Sequence, residues 1–227
     1  MRRVAEYGRI MARLTRAERQ ARTRAQLIAT AKELFLRDGY GPTSLEKVAE
    51  AAGFSKGAVY SNFRNKNELC LAVLDAIHAE QIAQITEAVS SAASIEERIA
   101  RLQRWAEENI GDEARTTLEV EFALAVRHDE HLRRELAGRD KGMRDVIADL
   151  VRESTERFDV DVPMPADNLA AVLLSLGIGL SVQRLLDPGI PASLLTDLVR
   201  TLITVTPRAQ SGTGSNDVGG GGATIRP

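Results

Sequence analysis

The sequence predicts an all-α fold in which a small basic amino-terminal domain precedes a longer helical domain. Apolar residues recur at helical spacing along most of the chain, and no segment shows the alternation expected of a β-strand. Charge separates the two domains. Residues 1–66 hold 14 Lys and Arg against 6 Asp and Glu, a net charge of +8, which leaves 16 against 26, a net charge of −10, for the remainder. The overall charge of −2 therefore conceals two unlike halves.

The composition excludes several classes of protein. Of the 227 residues, 44% are hydrophobic and 27% are charged, as in a globular protein large enough to bury a core. The longest uncharged apolar run, residues 169–182, is shorter than the roughly 20 residues that cross a membrane, so no transmembrane helix is expected. Cys70 is the single cysteine and the chain opens without a secretory signal, which favours a cytoplasmic location.

The first 20 residues predict a flexible basic arm. Eight arginines lie between Arg2 and Arg24 without a regular apolar stripe, and translation could begin at Met1 or at Met11. Helical spacing of apolar residues starts near Thr23 and ends at a glycine- and proline-containing segment, residues 38–42. A first helix is therefore predicted between these points.

Two short helices are predicted next, separated by Gly53, which suits a left-handed turn. Thr43 and Glu46 have the spacing of a capping box, and Ser55 can cap the following helix. Two short helices joined by a tight turn in a basic segment predict a helix-turn-helix over about residues 44–63, whose second helix can enter the major groove of DNA. A helical hairpin within a bundle is the alternative.

The rest of the chain predicts further helices. Asn67 is expected to cap a fourth helix that runs to about residue 89, and later helices are predicted over residues 94–109, 116–126, 130–158, 167–186 and 192–205. The last 21 residues contain six glycines and predict a disordered tail. The expected domains are thus an arm (1–20), a helix-turn-helix domain (21–81), a helical domain (82–206) and a tail (207–227).

Residues 23–69 resemble the DNA-binding domain of the TetR/AcrR family of bacterial transcription regulators. The resemblance rests on Ala31-x-x-Leu34-Phe35, Gly39-Tyr40-Gly41-x-Thr43-Ser44, Val48-Ala49, Ala52-Gly53, Ser55-x-Gly57-x-Val59-Tyr60-x-x-Phe63 and Lys66-x-x-Leu69. It implies a sequence-specific regulator, by the family's habit a repressor, that binds a palindromic operator as a homodimer and is released by a small-molecule effector. A helical protein that uses its basic module on an acidic partner or a membrane surface is the alternative.

The candidate DNA contacts lie in or beside the predicted helix-turn-helix. They are Thr43, Ser44, Ser55, Lys56, Gly57, Ala58, Tyr60, Asn62 and Lys66. Lys56, Gly57 and Ala58 open the third helix, where side chains reach base edges and small residues let the backbone approach. Lys66 lies next to the start of the fourth helix, where free amides favour phosphate. The resemblance implies that Tyr60 contacts phosphate and sugar, and packing within the core is the alternative role of this residue. For Lys66 the alternative is a solvated surface lysine.

The second domain is expected to form the dimer and enclose an effector pocket. Two apolar stripes are the candidate dimer interface: Leu169, Val172, Leu173, Leu176, Leu180, Leu194, Leu195, Leu198 and Leu202. Packing within one subunit would also explain these stripes. The candidate pocket residues are Trp105, Leu118, Phe122, Met143, Val146 and Ile147. Core packing is their alternative role, and a hydrophobic effector fits their composition. No motif indicates an enzyme, a cofactor or a metal site.

Overall fold

The computed structural model describes residues 15–205, and within this range the chain forms nine α-helices and no β-strand, which confirms the all-α prediction. The helices are α1 (Arg16–Asp38), α2 (Leu45–Ala51), α3 (Lys56–Tyr60), α4 (Lys66–Ser90), α5 (Ile95–Asn109), α6 (Glu113–Ala125), α7 (Glu130–Phe158), α8 (Ala166–Leu186) and α9 (Leu194–Val205). Most of the predicted arm and all of the predicted tail lie outside the described residues.

The first helix begins at Arg16 rather than near Thr23. The Glu18 N–H donates a hydrogen bond to the Thr15 hydroxyl (3.2 Å), and the Thr15 N–H donates one to the Glu18 carboxylate (2.6 Å). This capping box starts the helix before any apolar spacing is visible. Residues 16–20 of the predicted arm are therefore helical, and the Arg19 side chain is exposed on the first turns.

The helix-turn-helix forms as predicted, but its first cap differs. Ser44 caps α2 by accepting a hydrogen bond from the Lys47 N–H (3.2 Å), whereas Thr43 is buried. The capping box predicted from Thr43 is therefore wrong by one residue. Gly53 forms the turn at φ +71°, and Ser55 caps α3 as expected. The two short helices are thus positioned by side-chain caps and one left-handed residue.

The fourth helix links the two predicted domains. Asn65 is its cap and accepts a hydrogen bond from the Glu68 N–H (2.9 Å), so the cap predicted at Asn67 is wrong; that residue lies inside the helix. The expected boundary between residues 81 and 82 falls within α4. One buried apolar cluster continues from α1–α4 into α6 and α7, through Leu118, Phe122 and others. A shared core therefore couples the amino-terminal helices to the second domain.

By length and composition, α8 is the one helix among the described residues that could cross a membrane, although its uncharged run alone is shorter than a membrane span. Its 21 residues extend that run at both ends and take in Asp167 and Arg184. Only 17% of its apolar segment is buried within the single chain. A large apolar surface on α8 is thus left without a partner inside this subunit.

Candidate nucleic-acid interface and internal cavity

The start of α3 projects from the amino-terminal domain. Lys56 and Gly57 are exposed and Ala58 is half-buried, whereas Val59 is fully buried and anchors the helix to the core. A Cβ added at Gly57 would meet nothing closer than the Ser55 hydroxyl, at 3.9 Å. The fold itself therefore tolerates a larger residue at this position.

Tyr60 lies at the end of α3 with 51% of its surface exposed, so it is not a core tyrosine. Its hydroxyl donates a hydrogen bond to Glu46 Oε1 of α2 (2.6 Å). This bond raises the pKa of the Tyr60 hydroxyl and lowers the pKa of the Glu46 carboxyl. Glu46 was predicted to belong to a capping box, but in the structure it joins α2 to α3.

The hydroxyl of Thr43 is not available to a partner. Thr43 is 2% exposed, and its Oγ1 donates to the carbonyl of Gly39 (2.9 Å). Thr43 was predicted as a candidate DNA contact, but its buried side chain closes the turn after α1, so its hydroxyl does not reach DNA in this conformation. Ser44 is half-buried and Ser55 is exposed, each at the first turn of a helix.

Lys66 closes the loop between α1 and α2. Its ammonium donates to the carbonyls of Tyr40 (3.0 Å) and Gly41 (3.1 Å) and lies 4.0 Å from the centre of the Tyr40 ring. Burial lowers the pKa of this ammonium. The side chain is therefore half-buried and partly engaged, unlike the solvated lysine considered as its alternative.

Asn62 and Arg24 lock the end of α3 to α1. The Asn62 Nδ2 donates to the carbonyl of Ala58 (2.8 Å), and the Asn62 carbonyl accepts from Arg24 Nη1 (2.7 Å). The Arg24 guanidinium lies 4.1 Å from the centre of the Phe63 ring. In the sequence Arg24 is one of eight arginines in a basic stretch, and residue spacing gives no signal for this positioning role.

Helix α6 contacts the same loop from the second domain. The Tyr40 N–H donates to Glu121 Oε2 (2.7 Å), and the Tyr40 ring packs edge-on against Phe122 at 5.2 Å between centres. The Tyr40 hydroxyl donates to Asn67 of α4. Gly39 has φ +86°, and a Cβ there would lie 3.0 Å from the Glu121 carboxylate. The loop is therefore held by α4 and α6 together.

A cavity of about 450 Å³ lies among α4–α9. Its lining is mostly apolar and includes four of the six predicted pocket residues, Trp105, Met143, Val146 and Ile147. The other two, Leu118 and Phe122, are fully buried in the core shared with the amino-terminal helices and do not line the cavity. They occupy the opposite face of α6 from Thr116, Val120 and Ala123, which do line it. Helical periodicity marks both faces as apolar but does not say which element each one meets.

The exposed apolar face of α8 is rotated relative to the predicted dimer stripe, most of which packs within the single chain. Leu169, Leu180 and Leu195 are buried within the single chain, whereas Val172 and Leu194 are more than 40% exposed. The remaining four predicted residues, Leu173, Leu176, Leu198 and Leu202, are half-buried. The large exposed apolar residues of α8 are Val172, Ile178, Val182 and Leu186, and we call them the α8 outer face; two of them, Ile178 and Val182, also line the cavity.

Comparisons with known proteins agree with this architecture. A profile described as "Bacterial regulatory proteins, tetR family" matches residues 27–73, and one described as "BetI-type transcriptional repressor, C-terminal" matches residues 97–206. The DNA-binding transcriptional repressor TetR of Mycobacteroides abscessus is 30% identical over 186 residues, covering 79% of this chain and 93% of that protein. The HTH-type transcriptional regulator TtgR of Pseudomonas putida is 46% identical over 68 residues, covering 30% of this chain and 32% of TtgR. With TtgR the chain therefore matches about a third of the relative's length.

Solved structures show the same fold. The reduced form of Escherichia coli NemR has a TM-score of 0.66 at 22% identity, covering 80% of this chain and 97% of that one. A transcriptional regulator from Saccharomonospora viridis, solved in complex with choline, has a TM-score of 0.63 at 20% identity and covers 81% of this chain and 96% of its own. Taken with the profile matches and the near-complete match to the mycobacterial repressor, these observations show that the chain belongs to the TetR/AcrR family of bacterial transcriptional regulators.

Proposed function

We propose that this protein is a repressor that binds a palindromic operator as a homodimer in the cytoplasm and releases it when a small molecule occupies the cavity. The observation that carries the DNA-reading part is the exposed start of α3. Gly57 is not required by any neighbour in the fold, so its small size serves a close approach from outside. Lys56 beside it supplies a long cationic side chain at the same surface.

The contacts divide into base reading and backbone positioning. Lys56, Gly57 and Ala58 meet base edges in the major groove, since they occupy the first turn of the recognition helix. Ser44, Ser55, Tyr60, Asn62 and Lys66 surround that turn and position the phosphate backbone. Tyr60 must exchange its bond to Glu46 for one to phosphate, because its single hydroxyl proton is engaged in the free protein.

The α8 outer face supports the homodimer. It is apolar and exposed on a helix that could otherwise be taken for a membrane span. In a two-fold dimer the same surface of each subunit covers the other, which buries this face and pairs two reading heads with a palindromic site. Leu194 of α9 is a further exposed apolar residue, and we include it in the proposed interface.

Helix α6 supports release by an effector. One of its faces lines the cavity through Val120 and Ala123, and the other holds the α1–α2 loop through Glu121 and Phe122. A ligand that favours a different position of α6 shifts the loop and the recognition helix with it. A difference of about 1 to 3 kcal/mol in ligand affinity between the two conformations changes DNA affinity by about 5- to 150-fold.

Selection of bound fragments from sheared genomic DNA by the purified protein at about physiological salt tests the proposal. The expected result is enrichment of one palindromic motif, protected by a dimer. Recovery that is independent of sequence and strongly salt-dependent would contradict it and favour the alternative, a helical protein that uses its basic module as charge alone.

Two lysine variants separate base reading from backbone contact. Lys56→Ala is expected to cost about 1 to 3 kcal/mol on the selected site and to relax its sequence preference. Lys66→Ala is expected to weaken all sequences alike and to reduce the slope of log affinity against log salt by about 1. Fluorescence anisotropy with specific and scrambled duplexes over a salt range measures both. Wild-type binding by both variants would show that these side chains do not contact DNA.

A further inference from the structure

The cavity is lined by apolar side chains, yet two of its lining residues keep a buried N–H without an acceptor. They are Arg98 and Trp105, both on α5, and the atoms are Arg98 Nη2 and Trp105 Nε1. The two residues are seven apart, so they lie on one face of the helix about 10 Å apart along its axis. Buried donors without acceptors are rare and unfavourable, and an acceptor supplied by a ligand would satisfy them.

Arg98 is 5% exposed, and its guanidinium forms an ion pair with Glu153 of α7. Its Nη1 donates to Glu153 of α7, and the same carboxylate also accepts from Arg157 Nη1 at 3.4 Å. Two guanidinium groups therefore share one carboxylate, which leaves the charge of the buried Arg98 only partly balanced. An anion bound there gains both the charge and the free Nη2 donor.

The lining holds two carboxylates as well as the guanidinium groups of Arg115 and Arg139. Glu119 of α6 faces His78 at 3.4 Å, and Asp140 of α7 lies 13 residues before Glu153, about 20 Å away along that helix. Trp105 is the one Trp, Tyr or Phe among the lining residues that the structure describes. A quaternary ammonium site is built from several aromatic faces, and this cavity offers a single one.

We propose that the cavity binds an amphipathic aliphatic carboxylate, with the carboxylate on Arg98 Nη2 and the chain along the apolar lining. This inference rests on the proposed effector function and specifies the ligand class. Trp105 Nε1 serves as a second donor to an oxygen further along the same ligand. Gly177 of α8 leaves open space in the lining, since a Cβ there would meet nothing within 4 Å.

Three probes with the same eight-carbon chain and different head groups test the inference: octanoate, octan-1-ol and octyltrimethylammonium. Each is titrated into the full chain by isothermal titration calorimetry at neutral pH. Trp105 is the single tryptophan of the chain and lines the cavity, so its fluorescence reports occupancy in parallel. Octanoate is expected to bind at least tenfold more tightly than either other probe.

Variants locate the head group. Arg98→Met is expected to weaken octanoate binding at least tenfold while changing octan-1-ol binding less than twofold. Glu153→Gln removes the carboxylate that competes for Arg98 and is expected to strengthen octanoate binding. Arg101→Met is the matched control: this arginine is on the same helix, pairs with Glu97 and does not line the cavity, so octanoate affinity should stay within twofold.

The inference is overturned if octyltrimethylammonium binds as tightly as octanoate or more tightly. It is also overturned if none of the three probes binds, or if the Arg98→Met variant keeps the full preference for octanoate. If Arg98→Met does not fold, the head-group preference of the unmodified chain and the gain in Glu153→Gln decide. DNA release is measured separately with the selected operator. If another compound releases the DNA and the protein shows no preference for octanoate, this inference alone is refuted. If octanoate binds at Arg98 but the DNA is not released, the effector part of the proposed function is refuted.

Discussion

The bond between α6 and the α1–α2 loop makes a quantitative prediction for Glu121→Ala. The Glu121 carboxylate accepts one hydrogen bond from the Tyr40 N–H at 2.7 Å, a short contact to a charged group. Such bonds contribute about 1.5 to 3 kcal/mol. Glu121 is half-buried and still in contact with water, so the lower end of that range, about 1.5 to 2 kcal/mol, is expected. The higher helix propensity of alanine offsets only a few tenths of a kcal/mol.

Urea denaturation followed by far-UV circular dichroism measures the loss in free energy of unfolding. For a chain of this size it corresponds to a decrease in Tm of about 3 to 8 °C. The affinity for the selected operator should fall as well, because the loop positions the start of α2 and its cap, Ser44. Both effects follow from one lost contact between the domains.

Glu121→Gln is the matched control. It keeps an acceptor for the Tyr40 N–H but removes the charge, so the loss should be about half that of the alanine variant. An alanine variant as stable as the unmodified chain would refute the reasoning, because it would show that the contact contributes nothing to the folded state. Equal losses in both variants would show that charge, and not the acceptor, is what the loop requires.

Three further outcomes are expected. Val172→Glu places a charge on the α8 outer face, outside the cavity lining, and should shift the proposed dimer toward monomer in sedimentation velocity, whereas Leu124→Glu, at an exposed apolar position on α6, should not. Gly53→Ala should lower the free energy of unfolding by about 1 to 2 kcal/mol in urea denaturation, because φ is +71°. A Cβ at this position meets no neighbour, so the loss would come from backbone strain and not from a steric clash. Burial raises the pKa of the Cys70 thiol to about 12 and that of the Tyr40 hydroxyl to about 12, from 9.0 and 10.0. The unfolded chain thus loses these protons first, so stability is full below about pH 9 and decreases as the pH rises toward 12, as denaturation at about pH 8 and about pH 11 would show; equal stability at both would contradict it.

Much of the fold could be predicted because its signals are local. Apolar spacing placed α7 at its observed bounds and α8 within one residue of its start. Where a helix begins because of a hydrogen bond between near neighbours, apolar periodicity predicted the first residue less precisely. The start of α1 depends on the Thr15 cap, and the caps of α2 and α4 each differ from the predicted residue.

The candidate DNA surface was largely visible in the sequence, since short helices, a glycine turn and a basic composition occur together within about 20 residues. The roles of individual side chains on this surface were harder to predict from the sequence. Whether Thr43 is presented or buried depends on the carbonyl of Gly39, and whether Lys66 is solvated depends on the Tyr40 ring and two carbonyls far along the chain.

The sequence by itself determined that this is an all-helical TetR/AcrR family chain with a basic helix-turn-helix and apolar helical stripes, because those properties are set by residues within a few turns of each other. Only the tertiary structure decided what each stripe packs against. Periodicity shows that a helix face is apolar, but its partner is set by contacts between distant segments. For that reason Phe122 joins the amino-terminal core instead of the cavity, the outer face of α8 differs from the predicted stripe, and Arg98 lies buried at the cavity with an unused donor.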